Sequence, residues 1–200
     1  MHQPLISVAV PLVDAARNNS LQGSVERART QSWRDHHARQ AEDPAGPVSG
    51  RTEGLYHAEK ALLRSLRKMA KAAESDQLRQ AFETHRSETE GQVERLERVF
   101  EMVGKRPQGK TCEAMQGILA EGEEVMDDFA DSEALDAGLL AAAQAVEHYE
   151  IARYGTLRSW AAQLGMNDAV TLFEETLQEE KKTDQLLTEL AEAALNQKAA

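Results

Sequence analysis

Apolar residues recur at three- and four-residue intervals along most of this chain, and no segment alternates apolar and polar positions as a half-buried strand would. The recurrence predicts about five helices. The first runs from about Thr52 to Ala73. Ser75 or Asp76 caps the second, which lasts to about Val103, before Gly104 and Pro107 stop it. The third spans about Thr111 to Ala130 and the fourth about Ser132 to Leu164. Gly165 then ends the fourth, and Asn167 or Asp168 caps a fifth that reaches about Asn196. At about 1.5 Å per residue, helices two, four and five would each be roughly 40–50 Å long. Short turns make one and two, and four and five, antiparallel neighbours, and the shorter third helix carries the chain across. The fold class is therefore all-α, a four-helix bundle with a fifth, crossover helix.

The apolar stripes of four helices carry ionisable residues at mid-length. The first reads Leu55, Glu59, Leu62, Leu66, and the second Leu78, Phe82, His85, Glu88, Gln92, Leu96, Val99. The stripe of helix four reads Leu140, Ala143, Glu147, Glu150, Tyr154, Leu157, Ala161, Leu164. That of helix five reads Phe173, Leu177, Glu180, Asp184, Leu187, with Glu179 one step round. Burying an ionised carboxylate costs several kcal/mol unless positive charge compensates it, and a pair of metal ions is a compact source of such charge.

Residues at i, i+3 lie about 5–6 Å apart between Cβ atoms on one helical face, close enough to chelate one ion. His85-x-x-Glu88 and Glu147-x-x-Glu150 have this spacing. Oxygen donors with one imidazole suit iron or manganese, and bridging carboxylates can hold two such ions. The expected metal ligands are Glu59, His85, Glu88, Glu147, Glu150 and Glu179. Glu180 and Asp184 are rival choices on helix five, whose rotation the sequence leaves open because two adjoining faces are apolar. Glu94, Glu97, Glu121, Glu123, Glu124 and Glu174 read as a solvated face. His57 and His148 sit one position off their stripes, and Tyr154 reads as a core-edge tyrosine with a bonded hydroxyl. No phosphate-binding glycine loop, catalytic triad order or Cys-x-x-Cys motif is present, which leaves nucleotide and nucleophile chemistry without support.

Residues 1–50 differ from the rest. Pro4, Pro11, Pro44, Gly46, Pro47 and Gly50 interrupt them, with room for one short helix from Ser24 to Gln40. They read as an extension, with the bundle domain at 51–200. Charge divides in the same way. The extension has five Arg and five acidic residues, and the remainder has 18 Lys+Arg against 29 Asp+Glu, the whole net charge of −11. An acidic surface disfavours nucleic acid and favours cations. The single cysteine, Cys112, excludes an internal disulfide and cysteine-rich metal sites, and fits a reducing cytoplasm. No run approaches the roughly 18 apolar residues of a membrane helix. The Leu5 to Val13 stretch is short, broken by Pro11 and without a basic region ahead of it, unlike a signal peptide.

Several strings together resemble the YciF-like family of ferritin-like bacterial stress proteins: Tyr56-His-Ala-Glu59-Lys60, Phe82-Glu-Thr-His85-Arg-Ser-Glu88-Thr89, Glu147-His-Tyr-Glu150 and Glu179-Glu180-Lys-Lys-Thr-Asp184. The resemblance spans about residues 54–195. It implies a ferritin-like bundle, a homodimer and a role in general stress responses. A ferritin-like centre takes a Glu, a Glu-x-x-His, a Glu and a second Glu-x-x-His from its four helices. Here His85-x-x-Glu88 has the reverse order, Lys182 stands three residues after Glu179, and Gly54 replaces an acidic residue of the family. The functional expectation is a stress-response protein binding one or two iron or manganese ions, with oxidase or peroxide-consuming activity. The alternatives are a non-enzymatic structural dimer and an iron store.

Overall fold

The structure, a computed structural model, describes Gln31 and residues 45–199. The expected helix from Ser24 to Gln40, with Trp33, His36 and His37, lies outside the described residues except for Gln31. Five long helices follow from Gly46: α1 (Gly46–Ala72), α2 (Asp76–Met102), α3 (Glu113–Asp128), α4 (Leu135–Gln163) and α5 (Asn167–Leu190). A π-helical turn (Ala191–Leu195) and a short α6 (Asn196–Lys198) continue α5. No strand occurs among the described residues. Nor is any described helix long and apolar enough to cross a membrane.

Helix α1 begins six residues before the expected Thr52. Pro47 falls in its first turn, where the missing N–H would be unpaired in any case and the fixed φ is already helical. The stretch read as a breaker therefore starts the helix. Val48, Ser49 and Thr52 are fully buried, Thr52 donates its hydroxyl to the Val48 carbonyl at 2.8 Å, and the compact unit that holds the helices begins at Ala45.

The other helix ends follow local chemistry. Ser75 accepts from the Leu78 amide at the start of α2. Asp136, from the first turn of α4, accepts from the Glu74 and Ser75 amides at 2.9 and 2.8 Å and so ties the α1–α2 turn to α4. Gly104 and Gly165 adopt φ of 68° and 69°, the left-handed conformation that closes a helix. After α4 this gives bonds from the Gly165 amide to the Ala162 carbonyl and from the Met166 amide to the Ala161 carbonyl. Helix α5 is preceded by Met166, with no side-chain cap; the expected Asn167 or Asp168 lies already inside it. Helix α4 starts at Leu135, three residues later than expected.

The four long helices α1, α2, α4 and α5 enclose the core, and α3 crosses outside them against α1 and α4. Leu62 and Leu66 of α1, Phe82, Leu96 and Val99 of α2, Leu139, Leu140 and Leu157 of α4, and Phe173, Leu177 and Leu187 of α5 are all buried. This is the ferritin-like arrangement, with one apolar stripe per helix turned inward.

Candidate metal centre

Between the apolar layers at the two ends of the bundle lies a layer of ionisable side chains, one or two from each long helix. Glu59 comes from α1, His85 from α2, Glu147 and Glu150 from α4, and Glu180 from α5; all are 0–2% exposed. Their helical spacing explains the convergence. Glu59 follows Leu55 and precedes Leu62 on the buried face, and Glu147, Glu150 and Tyr154 continue the α4 face at i, i+3 and i+7.

One ligand atom from each of His85, Glu147, Glu150 and Glu180 lies within 4.8 Å of the others. His85 Nε2 is 3.1 Å from Glu147 Oε1 and 3.9 Å from Glu180 Oε2. Glu59 joins through Tyr154, whose buried hydroxyl donates to Glu59 Oε1. Among the described residues nine buried side-chain nitrogen and oxygen atoms have no hydrogen-bond partner. Eight of them belong to these five residues, including both oxygens of Glu150 and of Glu180. A folded protein leaves very few such atoms unsatisfied, so their concentration in one place makes this cluster the candidate metal centre among the described residues.

The electrostatics agree. Burial raises the Glu59 carboxyl to about 7, although the Tyr154 hydroxyl and His85 oppose the rise. Burial, followed by repulsion from Glu59, Glu180 and Glu147, pushes Glu150 well above the usual carboxylate range. Glu180 is raised well above that range by burial, reinforced by Glu147 and Glu59 against the pull of His85. Burial alone would lower His85, but the Glu147 carboxylate, with Glu88 and Glu180, overrides it and holds the imidazole well above its ordinary value. Without an ion the centre thus stores protons; a divalent cation would displace them, because carboxylates ligate in their ionised form.

The remaining expected ligands fall elsewhere. Glu88 stands at the edge of the centre, 22% exposed, with Oε2 3.9 Å from His85 Nδ1. The facing His85 imidazole, with Lys182 beside it, lowers its pKa against burial. Glu179 points away from the centre. It accepts from both guanidinium nitrogens of Arg95, one at 2.8 Å, and from Gln92 Nε2 at 3.2 Å. Asp184 faces His148 at 3.1 Å on the outer side of the bundle. The α5 residue in the buried cluster is therefore Glu180, one of the two rival choices, and the expected Glu179 lies outside it. The signal was in the sequence, since Glu180 and not Glu179 is in register with Phe173, Leu177 and Leu187. With Glu180 in place, the residue three positions on is Thr183, also buried, so α5 presents no second histidine. Gln92, fully buried with Oε1 unpartnered, was not singled out in advance as more than a stripe residue.

Fold and centre together define a ferritin-like helical bundle with a carboxylate–histidine cluster in its core. The chain belongs to the family described as "Domain of unknown function (DUF892)", whose profile matches residues 53–200, and thereby to the relatives of YciF. It is 48% identical over 145 residues to Protein YciF of Escherichia coli strain K12, covering 72% of this chain and 87% of that protein. The crystal structure of the E. coli stress protein YciF superposes with a TM-score of 0.70 at 46% identity, over 73% of this chain and 92% of that one. YcfI of Rhodopseudomonas palustris, for which a structural role has been suggested, gives a TM-score of 0.69 at 41% identity, over 70% of this chain and 90% of its own.

Proposed function

We propose that this chain is a stress-response protein holding one or two iron or manganese ions between α1, α2, α4 and α5. Glu59, Glu147, Glu150 and Glu180 supply the oxygen donors and His85 the nitrogen donor. The observation that carries the reading is the set of eight unpartnered buried atoms on these five residues. Four carboxylates and one imidazole match the donor preference of iron and manganese. When bound in its reduced form, such an ion can pass electrons to dioxygen or peroxide, which is the basis for an oxidase or peroxide-consuming role. The chain's own residues do the rest. Tyr154 fixes Glu59 by its hydrogen bond, and the leucine and phenylalanine layers above and below exclude water and strengthen every charge interaction inside.

The structural-dimer reading has one observation in its favour. The raised pKa values of Glu59, Glu150 and Glu180 let the core exist with neutral carboxyls and no ion. One experiment separates the two readings: metal content per chain after purification without chelator, together with the absorption spectrum on adding ferrous iron in air. One or two ions per chain and a new charge-transfer band support the metal reading. Metal-free protein that stays spectrally silent leaves the structural one.

A further inference from the structure

Glu88 differs from the five residues of the centre in one respect: it meets solvent. Its side chain is 22% exposed, against 2% for His85, 1% for Glu147 and 0% for Glu180. Its two oxygens serve different neighbours. Oε2 lies 3.9 Å from His85 Nδ1, an imidazole atom that is buried without a hydrogen-bond partner. Oε1 lies 3.7 Å from Lys182 Nζ on α5, and the lysine side chain is 78% exposed. An uninterrupted line of polar groups therefore crosses the seam between α2 and α5, from solvent at Lys182 through Glu88 to His85, and on to Glu147 and Glu180.

Two other approaches are covered among the described residues. Tyr154, 1% exposed, covers Glu59, and Phe173 packs against its ring with centroids 6.3 Å apart. Further along the same α2–α5 seam the ion pair of Arg95 with Glu179 and Glu175 seals the surface with a cation of its own.

We propose that Glu88 and Lys182 form the entrance through which a divalent cation reaches the centre. Glu88 takes the ion from solvent and hands it to His85, and Lys182 is the movable charge that opposes entry. The inference rests on the metal-binding reading and adds a route to it. A charge at the mouth of a low-dielectric site alters arrival rate more than final affinity, and its influence fades as salt screens it. A lysine so exposed adds little to stability through a 3.7 Å pair, so its replacement leaves the bundle intact.

The test uses cobalt(II) as the probe, mixed rapidly with metal-free protein at low ionic strength and followed by its ligand-field absorption. Lys182→Glu should speed uptake by about three- to tenfold with an unchanged final absorbance, and Glu88→Gln should slow it several-fold. Both differences should shrink at high salt. Rates of both variants within about twofold of the unaltered chain overturn the entrance. So does a Glu88→Gln variant with lower final absorbance per chain, which would make Glu88 a ligand. Unaltered protein that takes up no cobalt overturns the metal reading itself, a result distinguishable from uptake at unchanged rates.

Discussion

Arg95 of α2 holds Glu179 at the seam between α2 and α5, while the next residue of α5, Glu180, lies in the core. The two acidic neighbours are chemically identical, yet one is 24% exposed in an ion pair and the other is fully buried among carboxylates. The rotation of α5 decides which is which. Glu180→Ala should therefore abolish metal binding. Glu179→Ala should leave the metal stoichiometry unchanged while lowering stability by about 1–2 kcal/mol, the scale of charged hydrogen bonds lost from a partly buried arginine. Metal analysis and denaturant unfolding of the two variants check both parts, and loss of metal in Glu179→Ala alone would contradict the arrangement.

The elements were legible in the sequence because the apolar period is helical and two of the long helices stop at a glycine, Gly104 and Gly165. The start of α1 was not. Pro47 between two glycines signals a breaker by composition, and only the burial of Val48 and Ser49 against the bundle reveals that the proline sits where a helix tolerates it. Glu59, His85, Glu147 and Glu150 were readable from register with the core leucines. Glu88 shares that register but lies on the margin of its stripe, which periodicity alone does not distinguish from the centre. Asp136 was invisible for a different reason: the amides it caps are 61 and 62 residues away in sequence.

Asp136 yields its own expectation. Its carboxylate satisfies two amides at the α1–α2 turn, a cap supplied from another helix. Asp136→Ala should cost about 0.5–2 kcal/mol, as loss of an N-terminal cap does, without altering metal content. Amide hydrogen exchange should accelerate at Glu74 and Ser75 first. Protection unchanged at those two amides would show that the cap is not used.

Tyr154→Phe removes the one donor to Glu59 Oε1 and leaves a second buried oxygen on that residue unpaired. The cost should be about 1–3 kcal/mol in the metal-free protein. Because the hydroxyl holds the Glu59 pKa down against burial, the carboxyl should titrate above about 7 in the variant. Carbon-13 NMR of the Glu59 carboxyl measures this directly, and an unshifted titration would show that the hydrogen bond does not form.

In the metal-free protein, Glu59 is raised from 4.5 to about 7, and Glu150, Glu180 and His85 are raised above their ordinary values. A group whose pKa is raised by folding binds protons more tightly in the folded state. Its stabilisation is complete below its unfolded pKa and is lost as pH climbs through the folded one. Glu59 alone should contribute on the order of 3 kcal/mol at acid pH that disappears between about 4.5 and 7. The lowered pKa of Glu88 works in the opposite direction but on a partly exposed group, so it is the smaller effect. The metal-free chain should therefore melt higher at pH 5 than at pH 8, measured by calorimetry in the presence of chelator.

Bound metal should reverse that slope. An ion that binds the folded centre and not the unfolded chain adds about 2.7 kcal/mol at a free concentration a hundred times its dissociation constant. It must compete with protons for Glu59, Glu150 and Glu180, so its contribution should be greatest at pH 8 and fade toward pH 5. Melting curves with and without manganous ion should be well separated at the higher pH and converge at the lower, where the metal-free form gains from protonated carboxyls. A constant separation across that range would mean that the added ion binds away from the buried carboxylates. Coincident curves at every pH would favour the structural bundle over the metal-binding one.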